Sequence, residues 1–230
     1  MKQGKISFLK ETVLIFFIFF IISCAPSYIP NVVNTPLFSN RGEFQASVNN
    51  GVSGFNPQLA YAISDRIGIM LNGSFANRTS DTTKNFHKHQ FIEFGFGYYH
   101  KIANNGRFEI YSGTGFGKVN SFYDNELWYD KTDISSFRVF LQPTIGATTN
   151  IFDGSFAPRI VMINFSQGTT ANSGFFIEPT ISAKLGYKYI KILFQLGFSL
   201  PLNSRNINFE YQPFIFSIGL LATLGKKYKV

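Results

Sequence analysis

From Gly42 onward apolar side chains recur at every second residue, and this spacing limits the fold more than any other feature of the chain. Phe44, Ala46 and Val48 alternate with Glu43, Gln45, Ser47 and Asn49. Ile92, Phe94, Phe96 and Tyr98 alternate with Glu93, Gly95, Gly97 and Tyr99. Ile190, Ile192, Phe194, Leu196 and Phe198 alternate with Lys191, Leu193, Gln195, Gly197 and Ser199. A strand turns successive side chains to opposite faces, whereas a helix returns to the same face after about 3.6 residues. The pattern predicts ten strands, over 42–49, 54–63, 67–76, 90–100, 107–118, 135–148, 155–165, 174–187, 189–200 and 209–224.

The connections alternate in length after a short first one. Asp65, Asn104-Asn105-Gly106, Asn150 to Gly154 and Lys188 mark tight turns. Residues 77–89, 119–134, 166–173 and 201–208 read as longer polar loops. An even strand count with short turns at one end and long loops at the other describes an antiparallel up-and-down transmembrane barrel of the bacterial outer membrane. The long loops are expected outside and both barrel termini in the periplasm. Charge placement favours this over a soluble barrel. Glu43, Glu93, Arg107, Glu109, Arg138, Arg159, Glu178, Lys184 and Lys191 all fall on the polar face, and the apolar face stays free of charge until Lys118. A cation facing lipid at the midplane costs about 2–4 kcal/mol, so a spanning wall must keep its charges inside. Composition agrees, since only 15% of residues are charged while 17% are aromatic. Tyr61, Tyr98, Tyr187 and Tyr189 gather near the short turns, as interfacial aromatics do. The net charge of +8 comes with no dense basic stripe beyond the "KKYK" tail, which argues against a nucleic-acid partner.

The chain nearly repeats itself. "FLQPTIGA" starts at Phe140 and "FIEPTISA" at Phe176, with looser echoes at "FIEFGFGY" (Phe91) and "YQPFIFSI" (Tyr211). These lie in strands four, six, eight and ten, which run in one direction, so the repeat unit is a hairpin. Each echo turns a polar residue to the lumen: Glu93, Gln142, Glu178 and Gln212. Arg138, Arg159, Lys184 and Lys191 are expected to face the same space, with Arg138 and Lys184 opposite the acceptors. Two readings follow: an internal network that satisfies buried charges, or a site for a small polar or ionic ligand. Gly95, Gly97, Gly113, Gly115 and Gly117 point inward and make local room. Pro57, Pro143, Pro179 and Pro213 fall in closed-barrel strands, where each is expected to cause a bulge or a missing ladder bond.

The first residues carry a basic start, an apolar stretch from Val13 to Ile22 and then Ile21-Ile22-Ser23-Cys24. The apolar stretch has the length of a signal-peptide core, not of a membrane span. The residues before Cys24 resemble a bacterial lipobox, which implies cleavage before Cys24 and acyl chains on it. Cys24 is also the sole cysteine, so no disulfide forms within the chain. The division expected is 1–23 as lipoprotein signal peptide, 24–41 as acylated tether and 42–230 as barrel. The segment after Cys24, "APSYIP", lacks acidic residues, which favours a lipid anchor on the periplasmic side.

Little here points to chemistry. His87 and His89 are spaced as two possible zinc or copper ligands, with Asp81 nearby, but no third ligand is identifiable and no metal is assigned. Asp124, Glu126, Asp130 and Asp133 match no compact calcium loop. The sequence gives no catalytic residue and implies no cofactor.

"YIPNVVNTPLFSNRGEFQASV" (Tyr28–Val48) and "AYAISDRIGIMLNGSFANRTS" (Ala60–Ser80) resemble a family of Bacteroidota outer-membrane β-barrel proteins with lipoprotein-type leaders. The resemblance implies fold and location and brings no assigned activity. The expectation is a lipid-anchored outer-membrane barrel with a largely filled polar lumen and a structural or binding role. A small pore for polar solutes is the alternative, ahead of an enzyme with loop-borne residues. Expected partners are outer-membrane lipids and the acyl chains on Cys24, with an unidentified protein or small polar ligand left open.

Overall fold

The computed structural model describes residues 26–80, 83–102, 104–125, 128–167, 170–202 and 209–227. Strands β1 (Phe44–Gly51), β2 (Gly54–Ala62), β3 (Ile67–Thr79), β4 (Phe86–Lys101), β5 (Gly106–Asn125), β6 (Trp128–Thr148), β7 (Phe152–Gln167), β8 (Thr170–Tyr187), β9 (Ile190–Phe198), β10 (Leu200–Pro201) and β11 (Phe214–Leu224) follow one another with no helix among the described residues. Each pairs antiparallel with its neighbour in sequence from β1 to β9. β11 pairs with both β9 and β1 and closes the sheet. β10 continues β9 past Ser199 and still pairs with β8, so the two form one stave. The protein is an all-β, closed, ten-staved antiparallel barrel.

The period-2 pattern sorts the side chains as the sequence predicts. Phe55, Leu71, Ile92, Phe94, Phe96, Phe116, Leu141, Ile145, Ile181, Ile192, Leu196 and Phe216 are exposed on the outside. All nine charged residues placed on the polar face are buried inside the wall. Tyr61, Tyr187 and Tyr189 are exposed near the tight turns, and Tyr98 is half-buried there.

Three of the expected long loops are mostly strand. β3 and β4 pair out to Thr79 and Phe86, β5 and β6 to Asn125 and Trp128, and β7 and β8 to Gln167 and Thr170. Side-chain polarity hid this, because ladder bonds join backbones and continue above the apolar zone whatever the side chains are. The prolines interrupt the ladder without shifting it. Leu141 pairs with Ile160 and Ile145 with Phe156, with no partners between them around Pro143 and Pro158. Pro158 faces Pro179 on β8, and the β8–β9 ladder stops at Thr180. Pro57 leaves the same kind of gap opposite β3. Pro213 precedes its strand, since β11 begins at Phe214 and not at 209.

The largest departure concerns residues 24–41. Cys24 lies outside the described residues. The segment from Tyr28 to Ser39 is no external tether, for it is buried along its length inside the barrel. It enters beside Tyr211, at the end where the long hairpins stand, and reaches the tight-turn end before Gly42 reverses the chain into β1. Gly42 makes this reversal at φ 79°, a conformation natural to glycine. Because the segment directly precedes β1, the staves can close around it, and nothing has to be threaded through a finished barrel.

Candidate functional site

The site is the lumen, and its first constraint is the segment that fills it. "YIPNVVNTPLFS" carries no charge. Pro30 and Pro36 lock φ and remove two donors, and Val32 and Val33 favour extended backbone, so the segment stays linear. Its ten steps from Tyr28 to Phe38 span about 33 Å when extended, enough to run the length of the barrel. A buried extended chain has no ladder of its own, yet its peptide groups must be paired.

Backbone at the mouth and wall side chains below it pair many of them. Tyr28 N–H donates to the Glu210 carbonyl at 3.1 Å, and its own carbonyl accepts from Gln212 N–H at 2.9 Å. Gln58 Nε2 donates to Val32 O at 2.6 Å. Gln195 grips Val33 on both sides, accepting its N–H and donating to its carbonyl, each at 2.7 Å. Gln142 Nε2 donates to Asn34 O at 2.7 Å, Lys184 Nζ to Thr35 O at 2.5 Å and Gln45 Nε2 to Pro36 O at 2.7 Å. Glu109 accepts from Phe38 N–H at 2.9 Å, and Arg107 Nε donates to Phe38 O at 3.0 Å. Leu37 has φ 54°, a left-handed conformation that bonds on both neighbours hold in place.

A charge cluster surrounds the upper part. Glu93 Oε1 accepts from Arg159 Nη2 at 2.7 Å and from Arg138 Nη1 at 3.2 Å. Glu178 lies 3.7 Å from Arg159 Nε and accepts from the Tyr28 hydroxyl and from Ser199 Oγ. Arg138 also reaches into the segment, donating to Asn31 Oδ1 at 3.2 Å. Each guanidinium covers an aromatic face: Arg138 lies 4.2 Å from the Phe91 centroid and Arg159 4.4 Å from that of Phe140. Inward glycines make this possible. A Cβ on Gly117 would stand 1.7 Å from Phe91 Cδ1, and one on Gly113 would stand 2.5 Å from Phe140 Cζ. A second group lies toward the tight turns, where Asp153 accepts from Lys191 Nζ at 2.7 Å and from Thr148 Oγ1 at 2.5 Å.

The structure therefore divides the residues predicted to share one level. Glu93, Arg138, Arg159 and Glu178 meet. Gln142 sits lower, on Asn34. Lys184 and Lys191 belong to the tight-turn end, so Lys184 does not face Glu178; six steps along β8 separate them, about 20 Å. Gln212 is outside any strand, half-buried at the mouth, where its Nε2 donates to Phe214 O. The residues missed are those of the segment itself and its grips Gln58, Gln195, Gln45, Glu109 and Arg107. The available signal was the lack of charge from Ala25 to Asn40 together with Val32, Val33, Leu37 and Phe38, a composition unsuited to a solvated tether.

His87 and His89 lie on β4 above its apolar stretch, alternating with the outward-facing Lys88 and Gln90. His87 Nε2 and His89 Nδ1 are 3.1 Å apart, and His89 Nε2 is 3.1 Å from the buried Ser74 Oγ. Burial lowers His87 to about 4 and His89 to about 3, the latter with help from His87. Both are neutral at physiological pH. No set of three His, Cys, Asp or Glu side chains gathers for a metal among the described residues. Asp81 and Glu126 lie outside the described residues. Asp133 points outward, and Asp124 N–H is bonded to Asn85.

These features define a closed barrel plugged by its own amino-terminal segment. No family model and no curated protein matches the chain. Among solved structures it is similar to the N-terminal β-barrel domain of Pseudomonas aeruginosa OprF, at 10% identity, covering 81% of this chain and 100% of that one with a TM-score of 0.35. A likeness that loose carries no argument about function.

Proposed function

We propose that this protein is an integral outer-membrane barrel, anchored by acyl chains on Cys24, with a self-filled lumen and a structural or binding role. The observation that carries the reading is the match between wall and segment: Gln58, Gln195, Gln142, Lys184, Gln45, Glu109 and Arg107 turn inward onto the backbone of Val32 to Phe38, so the segment occupies the lumen along its length. The outer wall supports the membrane setting. Ile92 to Tyr98 on β4 present only apolar or aromatic side chains outward, with Gln90 and His100 bounding them. The ten steps from Gln90 to His100, tilted by about 40°, cover about 25 Å, so the stretch between these bounds fits the height of an outer-membrane apolar band. Contiguous apolar surface of this extent is foreign to a water-soluble monomer. The long hairpins are assigned to the cell surface and the tight turns to the periplasm. The lipobox-like Ile21-Ile22-Ser23-Cys24 supports the anchor. A filled lumen disfavours the pore.

Planar-bilayer recording tests the role. The mature protein should stay near background conductance, while a variant lacking residues 27–39 should open steady channels. Steady conductance by the full protein would make it a pore. Metabolic labelling with a fatty acid should tag the wild type and not Cys24→Ala; equal labelling of both would remove the anchor.

A further inference from the structure

The first residues of the basic tail are folded onto the barrel. β11 stops at Leu224, and Gly225 turns the chain at φ 71°, which glycine adopts without strain. Asn40 holds this turn on both sides: its Nδ2 donates to Gly225 O and its Oδ1 accepts from Lys227 N–H, each at 2.8 Å. Lys226 then reaches across the opening at the tight-turn end. Its Nζ donates to Thr148 Oγ1 at 2.8 Å, at the end of β6 on the far side of the barrel, and lies 3.6 Å from Glu43 Oε1.

The tail and the β4–β5 and β6–β7 turns border a cavity of about 380 Å³, within the range of small-ligand sites. Lys101, Arg107, Lys226 and Lys227 line it, with Asn105 and Asn150, and no carboxylate is among its described lining residues. Arg107 is buried and locked. Its Nε donates to Phe38 O, its Nη1 to Asn104 O and Gly106 O, and its Nη2 to Ser39 Oγ, so it sets a stationary charge in the cavity wall. Lys101 and Lys227 stand exposed at the rim. The opening carries a net positive charge. Toward the tight turns the buried carboxylates are Glu43, Glu109 and Asp153, and the buried Arg107, Lys184 and Lys191 match them in number. Lys101, Lys226 and Lys227 are left in excess around one cavity, where their like charges repel.

We infer that this opening binds a phosphate group, with Lys101, Lys226 and Lys227 as its contacts and Arg107 as a fixed charge behind them. A carboxylate brings one charge and two oxygens. A phosphate monoester brings nearly two charges and three strong acceptor oxygens, so it can meet several donors set around a cavity. The side-chain amides of Asn105 and Asn150 offer uncharged donors to the same oxygens. The site stands whether or not the chain is acylated or spans a membrane. The periplasmic assignment of the tight turns decides only where the phosphate comes from, which is then a headgroup of the inner leaflet or a soluble phosphate ester.

Isothermal titration of the folded protein with inorganic pyrophosphate, in uncharged detergent at fixed ionic strength, tests the site. Wild type should bind the probe saturably. Lys101→Gln combined with Lys227→Gln should weaken binding about tenfold or more, because each change removes a charge-assisted hydrogen bond. Both side chains are exposed, so the double variant should keep its compact, heat-modifiable gel form. Lys88→Gln, a change at an exposed lysine of the hairpin end, should leave the affinity as in wild type. Absent binding by wild type, unchanged affinity in the double variant, or an equal loss in Lys88→Gln overturns the site. Phosphatidylglycerol added to the micelles then separates the sources, with an equally charged carboxylate detergent as the control for surface repulsion. Competition with pyrophosphate beyond that control assigns the site to a lipid headgroup, and no such competition assigns it to a soluble phosphate ester; both uphold the site.

Discussion

Gln195 and Val33 exchange two hydrogen bonds across the lumen, each at 2.7 Å, so that a wall side chain does for the plug what a neighbouring strand does in a ladder. Gln195 is on β9 and Val33 lies 162 positions earlier in the chain. The relationship explains how a segment without a strand partner stays extended in a dry interior.

Gln195→Leu keeps the volume and removes both bonds. Each peptide group left unpaired costs about 1–3 kcal/mol. The variant should lose its compact gel mobility at a lower temperature than wild type. Gln195→Glu keeps the acceptor for Val33 N–H but turns a second acceptor toward its carbonyl, so it should not restore stability. Wild-type behaviour of both variants would show that the plug is held elsewhere.

Glu178 should couple to Arg159 and not to Lys184. Glu178→Ala strands part of a buried guanidinium, and breaking a buried pair costs about 3–5 kcal/mol. Adding Arg159→Ala should recover some of that loss, limited by Glu93, which then keeps only Arg138 as an ionic partner. Adding Lys184→Ala should recover none, because its amine donates to Thr35 O at the other end of the plug. A double-mutant cycle by thermal unfolding in detergent reads both terms. The opposite ranking would mean that the upper cluster is assembled differently.

Tyr28→Phe removes the hydroxyl that donates to Glu178 and keeps the ring against Phe176, whose centroid is 4.3 Å away. Glu178 retains Ser199 Oγ and Arg159 as neighbours. The loss should be about 1–2 kcal/mol, smaller than for Glu178→Ala. Tyr28→Ala also empties the mouth and should allow brief conductance events in a planar bilayer. An equally silent trace would place the barrier deeper in the plug.

Gly117→Ala tests the notch beneath the charge cluster. The added methyl would meet Phe91, whose ring carries the Arg138 guanidinium. Overpacking of this kind costs about 1–3 kcal/mol. Pairing it with Phe91→Leu should return part of the loss, measured by the same melting assay. Full tolerance of Gly117→Ala alone would show that Phe91 moves freely and that Arg138 does not depend on it.

The sequence alone determined the wall. Period-2 alternation in Phe44–Val48, Ile92–Tyr98 and Ile190–Phe198 is a local property, fixed by the geometry of one strand, and it decided which charges go inside. Tight-turn residues and the hairpin echoes at Gln142 and Glu178 set strand order and direction, because neighbours in an up-and-down barrel are neighbours in sequence. Hairpin length was not legible, since ladder bonds ignore side-chain polarity above the apolar zone. Nor was the pairing of Glu93 with Arg159, which depends on how stagger and closure bring distant staves to one height. Above all, the sequence did not reveal where residues 26–39 go. No period marks a single extended segment that bonds through other residues' side chains, so only the closed barrel shows that its polar lining and its uncharged leader segment are two halves of one contact.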